Sequence, residues 1–212
     1  MNSEKMAERA LKLLHKSLPA LQKGHHILWV PPAEHILRCF AFETRFDMKG
    51  MAYFWRAAMP LYRPPTFLVL NYADRLLAGE RVSLHEPDLD RTIDRLAQVI
   101  LQSELDYLKG IQGPQDFLRQ VDWDSRPSSP NYRLDLALTQ YMTGDVPACL
   151  ETLEQIVAAK LSPRWADGAR LARELIEELK INPSALDQRI GAWEERNVAW
   201  FQLTPRNRRK AK

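Results

Sequence analysis

Apolar residues at the start of the chain recur every three or four positions, which is the spacing of one buried helix face. This pattern predicts an amphipathic helix over residues 3–22, with apolar positions at Met6, Ala10, Leu13, Leu14, Leu18 and Leu21. From Ile36 to Asp47 and from Met51 to Leu61 the spacing shifts to alternate residues, the period of a β-strand. A short turn-like segment at residues 48–50 separates these two runs, so we predict an antiparallel hairpin.

Shorter apolar runs flank this hairpin. Residues 27–30 and 67–70 are predicted to form one or two short strands beside it. Prolines at positions 60, 64 and 65 bracket residues 61–63. Because proline cannot donate a hydrogen bond to a central strand, residues 61–63 are predicted to leave the sheet.

After His85 the apolar spacing returns to three and four residues and remains so. It predicts a helix over residues 87–108 and a short helix over 114–123. Residues 124–130 are rich in serine and proline and form the best candidate linker. Four further helices follow, and their predicted starts are marked by Pro130, Asp145, Pro163 and Pro183.

The combined pattern predicts an α+β fold, in which a small antiparallel sheet with packed helices is followed by an all-α helical-hairpin region. We expect an α+β region at residues 1–123, helical hairpins at 131–204 and a basic disordered tail at 205–212. The spacing from Pro130 to Pro163 resembles that of tetratricopeptide repeats. Since one unit alone carries the spacing, a generic helical hairpin is favoured.

The positive charge of the chain is concentrated at the C-terminus. The 212 residues carry 30 basic and 27 acidic side chains, a formal net charge of +3. The tail holds its basic residues without any acid, at Arg206, Arg208, Arg209, Lys210 and Lys212. Without them the chain is slightly acidic, whereas nucleic-acid-binding domains usually carry positive charge on a folded face. The tail therefore predicts no more than weak, salt-dependent attraction to nucleic acid.

Cysteine content and hydropathy indicate the compartment. Cys39 and Cys149 are far apart and form no redox or zinc motif, so both are expected to be small buried residues in a reducing cytosol. No apolar run approaches the roughly 20 residues that span a bilayer. The N-terminal residues also lack the apolar stretch of a secretion signal. We therefore expect a cytoplasmic protein without membrane insertion.

Motifs for common chemistries are missing from the sequence, which has no Gly-rich phosphate loop, HExxH motif, zinc spacing or EF-hand loop. The densest set of metal-ligand types comprises His25, His26, Glu34 and His35. Adjacent histidines on a strand point to opposite faces, so this set is interpreted as a polar strand entrance. A dyad of His35 with Cys39 is excluded on an extended strand, where four residues span roughly 13 Å. No catalytic, cofactor-binding or metal-ligating residue is assigned.

Charged residues also lie near the hairpin tip. Glu43, Arg45 and Asp47 share one predicted strand face, with Arg56 on the neighbouring strand. Paired carboxylates can act as acid and base, but an arginine lies between these two in a solvated position. Cross-strand charge pairing is the favoured interpretation.

Aromatic residues and arginines next to the prolines form the predicted partner-binding group, which consists of Tyr53, Trp55, Arg56, Tyr62 and Arg63. These residue types are enriched at the energetic centres of protein interfaces. Alternatively, Tyr53 and Trp55 belong to the core beneath the N-terminal helix or the Leu89 helix. Trp193 and Trp200, seven residues apart on the last helix, are expected to be core residues.

The run from Tyr53 to Leu76, YFWRAAMPLYRPPTFLVLNYADRL, resembles a segment of uncharacterised bacterial proteins. Those proteins pair a small sheet, carrying a strand that ends in Met-Pro-Leu, with a following helical region. Some are similar to cytosolic immunity-type factors that bind a toxin. The resemblance implies a protein-binding role and transfers no site residues.

The favoured hypothesis is a cytosolic, non-enzymatic protein-binding module of an immunity-like or adapter kind. A first alternative is a nucleic-acid-associated protein that uses the basic tail. A second alternative is a hydrolase with a dispersed active site, for which His35, Glu43 and Asp47 are the candidates.

Overall fold

The chain forms two compact units in the computed structural model, which describes residues 3–44, 50–64, 72–86, 88–123, 130–159 and 163–203. The first unit contains residues 1–59, 66–111 and 197–212. The second contains residues 60–65 and 112–196. These limits differ from the predicted boundary at residues 123–131, because the first unit gives way to the second after residue 111. Residues 60–65, which fall in the predicted α+β region, belong to the second unit, and residues from 197 onward belong to the first.

The first unit is built on an antiparallel sheet. Its strands are β1 (Gln22–Lys23), β2 (Ile27–Trp29), β3 (Ile36–Glu43), β4 (Met51–Pro60), β5 (Ala73–Arg75) and β6 (Arg81–Ser83). The strand order is β1-β2-β3-β4-β5, and β6 also pairs with β4. Strand β5 pairs with β4 at residues 55–57, and β6 pairs with it at residues 51–53. Strand β4 is therefore central and meets two short strands in succession.

Two helices, α1 (Ser3–Ser17) and α2 (Leu89–Val99), pack with the sheet in one hydrophobic cluster. Its large buried members include Leu11, Leu14, Leu28, Phe40, Phe54 and Leu96. The rings of Phe40 and Phe54 stack with centroids 5.9 Å apart. Burial of each such side chain contributes about 1.5–3 kcal/mol, so this cluster holds the helices on that face.

Helix α1 is shorter than predicted, because it ends at Ser17 rather than near residue 22. The residue before a proline is pushed out of the helical conformation by a steric clash, so Leu18 cannot continue the helix into Pro19. Leu18 and Leu21 are nevertheless buried in the same cluster. Their burial explains why their spacing matched the helical pattern.

The helix predicted over residues 87–108 is not α-helical throughout. Helix α2 passes into a five-residue π-helical segment, Ile100–Glu104, and then into α3 (Leu105–Lys109). A π-helical segment inserts residues into the helical turn and so changes which side chains face inward. This segment carries Glu104, which contacts β4 as described below.

The second unit is helical. It contains α4 (Pro114–Gln120), α5 (Pro130–Met142), α6 (Val146–Ala158), α7 (Ala166–Ile181) and most of α8 (Pro183–Trp200). The predicted starts at Pro130 and Pro183 are confirmed, and Pro163 begins a short 3₁₀ turn that leads into α7. The predicted fold class, an α+β protein with a small antiparallel sheet and a helical C-terminal region, is confirmed.

Tryptophans of α8 differ in exposure. Trp193 is buried, as predicted, whereas Trp200 is 56% exposed, so its prediction as a core residue is wrong. Trp200 lies beyond residue 196, where the second unit ends, and so belongs to the first unit. Its ring meets His25 edge-on, with centroids 6.1 Å apart.

Several predicted segments lie outside the described residues: the strand at residues 67–70, most of the linker at 124–130 and the basic tail at 205–212. In the described ranges, no helix combines the length and the apolar character needed to cross a membrane.

Asp145 caps helix α6, as the sequence predicted, since its Oδ1 accepts a hydrogen bond from the Ala148 backbone N–H at 3.1 Å. Asp145→Ala should lower the free energy of unfolding by about 1 kcal/mol, because the N–H loses its acceptor. Urea unfolding measures this change. Asp145→Asn keeps a capping oxygen and serves as the control, and equal destabilisation by both variants would contradict the capping role.

Candidate functional site

Tyr53 and Trp55 lie on the face of β4 that points away from the helix-covered cluster. Successive side chains on a strand alternate between faces, and the cluster with α1 and α2 contains Ala52 and Phe54. Tyr53 and Trp55 are half-buried and are not part of that cluster. The alternative that they lie in the core beneath the N-terminal or Leu89 helix is therefore wrong, because strand alternation gives that place to their neighbours.

Arg75 of β5 covers both aromatic rings. It lies directly opposite Trp55 in the strand register. Its guanidinium carbon is 3.9 Å from the centroid of the Tyr53 ring and 4.7 Å from that of the Trp55 ring. A cation over an aromatic face contributes about 0.5–1 kcal/mol at an exposed site, so Arg75 holds the two rings in place.

Glu43, at the end of β3, binds both Trp55 and Arg75 and so holds the two side chains together. Its Oε2 atom accepts a hydrogen bond from Trp55 Nε1 at 3.0 Å and one from an Arg75 terminal N–H at 3.3 Å. Glu43 thus pairs with Arg75, and the predicted pairing of its face with Arg56 is wrong. Arg45 and Asp47 lie outside the described residues.

Arg81 of β6 extends the same face. It lies directly opposite Tyr53 in the register, so the two side chains are neighbours on one side of the sheet. Its side chain is exposed and makes no hydrogen bond or ion pair with any residue that the structure describes. The adjacent acid, Glu80, accepts a hydrogen bond from Arg95 at 3.0 Å instead.

These residues form one continuous surface, which we name the aromatic face: Glu43, Tyr53, Trp55, Arg75 and Arg81. The sequence predicted Tyr53 and Trp55 for it and missed the two arginines. Each arginine lies on a strand of three residues, which is too short to show a period of two. The sequence pattern placed Glu43 among the charged strand residues and not in the aromatic group.

Arg56 lies apart from the aromatic face. Its terminal N–H groups donate to Glu104 Oε2 and to Asp74 Oδ2, both at 2.6 Å. Its guanidinium also lies 3.7 Å from the centroid of the Tyr107 ring. Because Glu104 and Tyr107 come from the π-helical segment and α3, Arg56 is held on the helix-covered side of the sheet.

Tyr62 and Arg63 are buried in the second unit, so their prediction as exposed binding residues is corrected. Tyr62 is 0% exposed, and its hydroxyl lies 2.8 Å from Thr139 Oγ1. Arg63 donates to Asp135 Oδ2 at 2.8 Å. Burial raises the pKa of Tyr62 above its usual range. The prolines that bracket this segment suggested a surface rim, but residues far along the chain enclose it.

The cysteines do not have the properties of nucleophiles. Both are free and buried, as predicted. Burial raises the pKa of the Cys39 thiol and that of the Cys149 thiol to about 12. A thiol with this pKa is almost entirely protonated at neutral pH, and the thiolate is the reactive form.

The histidines near the N-terminus cluster without forming a metal centre. The rings of His25 and His26 have centroids 4.0 Å apart, and His26 lies within 3.4–3.6 Å of carboxylate oxygens of Glu4 and Glu8. Within the described ranges, no group of three or more His, Cys, Asp or Glu side chains is arranged to hold a metal ion. Comparisons with protein-family models, with curated proteins and with solved structures find no match to this chain.

Proposed function

We propose that this chain is a non-enzymatic protein-binding module and that the aromatic face is its binding surface. The observation that carries the proposal is the half-buried pair Tyr53 and Trp55, which α1 and α2 leave uncovered and which lies beneath an exposed arginine. Tryptophan, tyrosine and arginine are the three residue types most enriched among residues that dominate interface energies.

Preorganisation supports the same proposal. Trp55 is held by its hydrogen bond to Glu43, and Arg75 is held by both rings and by the same carboxylate. Ordering a flexible side chain on binding costs about 0.5–1.5 kcal/mol. Side chains that are already ordered avoid most of this cost, so the face is suited to act as an anchor for a partner.

The proposal includes a cytoplasmic location and a partner of the immunity or adapter kind. Two free, buried cysteines are typical of proteins in a reducing compartment. The bacterial resemblance over residues 53–76 implies a protein-binding role and assigns no site residues.

Site-specific photocrosslinking tests the proposal. A benzophenone amino acid placed at Tyr53 should yield a discrete adduct with a protein from native lysate, and Trp55→Ala should abolish that adduct. Tyr107 is the matched control, because it is 40% exposed and also stacks under an arginine, but on the helix-covered side. No adduct at position 53, or equal adducts at both positions, would refute this surface.

The expected loss of affinity is large once the captured partner is purified. Truncation of a central interface tryptophan typically costs about 2 kcal/mol or more of binding free energy. Titration calorimetry with the wild-type protein and the Trp55→Ala variant measures this loss, and circular dichroism verifies that the variant is folded. An unchanged affinity would remove Trp55 from the interface.

A further inference from the structure

We propose that the partner of the aromatic face is acidic and that it places a carboxylate against Arg81 and Arg75. This inference rests on the proposed function and adds the chemistry of the partner to it. Its basis is charge: in the described part of the chain, the face carries two arginines and a single acid, Glu43.

The two arginines are placed to act together. Arg81 and Arg75 lie opposite Tyr53 and Trp55, which are two residues apart on one face of β4. Positions two residues apart on a strand are separated by about 7 Å. One acidic side chain, or two neighbouring ones, can therefore contact both guanidinium groups.

Arg81 has an unused charge. It is exposed and forms no ion pair within the described ranges, and Glu80, its neighbour in sequence, is engaged by Arg95. A guanidinium group presents N–H donors in a planar fork that matches a carboxylate. Arg81 can therefore donate hydrogen bonds to a carboxylate of a partner without breaking an existing ion pair.

Arg75 retains donors as well. A guanidinium carries five N–H donors, and the described contact of Arg75 with an acid is the single hydrogen bond to Glu43 at 3.3 Å. The cation–π contacts of Arg75 with Tyr53 and Trp55 are made in addition to that hydrogen bond. An incoming carboxylate would meet a guanidinium whose orientation is already set.

An acidic protein fits this surface better than a single-stranded nucleic acid does. Binding of a phosphate backbone requires several cations, whereas the described part of this face offers two arginines, one of which already donates a hydrogen bond to Glu43.

The test uses random short peptides displayed on phage and selected on the full-length protein. Enriched peptides should contain more Asp and Glu than the starting library, and they should not be enriched on the Trp55→Ala variant. Affinities of the synthesised peptides are then measured at low and at physiological salt. Arg81→Glu should weaken binding about tenfold or more. Arg91→Glu, which reverses an exposed arginine on α2, should change it by less than about twofold.

Three other outcomes have distinct meanings. Peptides that require Trp55 but are not acidic, and that tolerate Arg81→Glu, would overturn the acidic partner and leave the binding module in place. Identical enrichment on wild type and Trp55→Ala would overturn the proposed function together with this inference. Binding of an oligothymidylate that is lost in Arg81→Glu would overturn the inference in favour of nucleic acid.

Discussion

Asp135→Ala is expected to lower the free energy of unfolding by about 3–5 kcal/mol, the largest effect of any substitution considered for this protein. The Asp135 side chain is 1% exposed and that of Arg63 is 9% exposed. Removal of the carboxylate would take away the anion to which the buried Arg63 guanidinium donates at 2.8 Å. Breaking a buried ion pair by removing one of its partners is strongly destabilising, because the remaining charge has lost the solvation that it had in water.

Asp135 also takes part in a wider polar network in the second unit, through its backbone oxygen. The Thr139 hydroxyl donates to the backbone oxygen of Asp135 at 2.6 Å, and it also contacts the Tyr62 hydroxyl at 2.8 Å. These contacts join the segment of residues 60–65 to α5. We therefore expect loss of the ion pair to weaken the docking of this segment as well.

A double variant separates the effect of losing the Arg63–Asp135 ion pair from the effect of removing only one of its two charges. Arg63→Met with Asp135→Leu removes both charges and keeps apolar volume, so it should recover most of the stability. Urea unfolding of the two single variants and the double variant provides the comparison. If the double variant is as unstable as Asp135→Ala, the effect does not arise from removing one charge of the buried pair.

Gly24→Ala is expected to lower the free energy of unfolding by about 1–3 kcal/mol. A Cβ atom at Gly24 would lie 2.4 Å from the backbone oxygen of Phe201 and 3.1 Å from Ile27 Cγ1. The Phe201 oxygen also accepts a hydrogen bond from the His25 backbone N–H at 2.9 Å. Since the obstacle is backbone, the added methyl group must displace the end of α8 from the turn between β1 and β2.

Gly191 offers a control with the opposite sign. It lies within α8, and a Cβ atom there would meet no atom within 4 Å. Gly191→Ala should therefore stabilise the protein by about 0.8–1 kcal/mol, the difference in helix propensity. Thermal unfolding monitored by circular dichroism measures both variants. If Gly24→Ala is as stable as the wild-type protein or more stable, the close approach of Gly24 to the Phe201 backbone oxygen does not limit the residue at this position.

Features that depend on residues close together in the sequence were predicted more accurately than features that depend on distant residues. Strands β3 and β4, the cap at Asp145 and the starts of α5 and α8 depend on neighbouring residues, and all of them were predicted. The limits of α1 and the π-helical segment were missed. Strands β5 and β6 were not predicted because their three residues, ADR and RVS, do not form the apolar run that marked β2.

The candidate site shows the same division. Alternation along β4 correctly placed Tyr53 and Trp55 on one face. Their grouping with Arg56, Tyr62 and Arg63 failed because those arginines find acids 48 and 72 residues later in the chain. Arg75 and Arg81 joined the site for the converse reason, since strand register brings them opposite the aromatic pair.

Local spacing along the chain was sufficient to establish the α+β class, the helical second half and an aromatic pair on one strand, because hydrophobic period and capping act over a few residues. The tertiary structure determines which acid pairs with each arginine and on which face of the sheet that arginine lies. Burial and ion pairing depend on contacts between distant positions, and so they converted Tyr62 and Arg63 into core residues and made Arg75 and Arg81 the exposed arginines of the aromatic face.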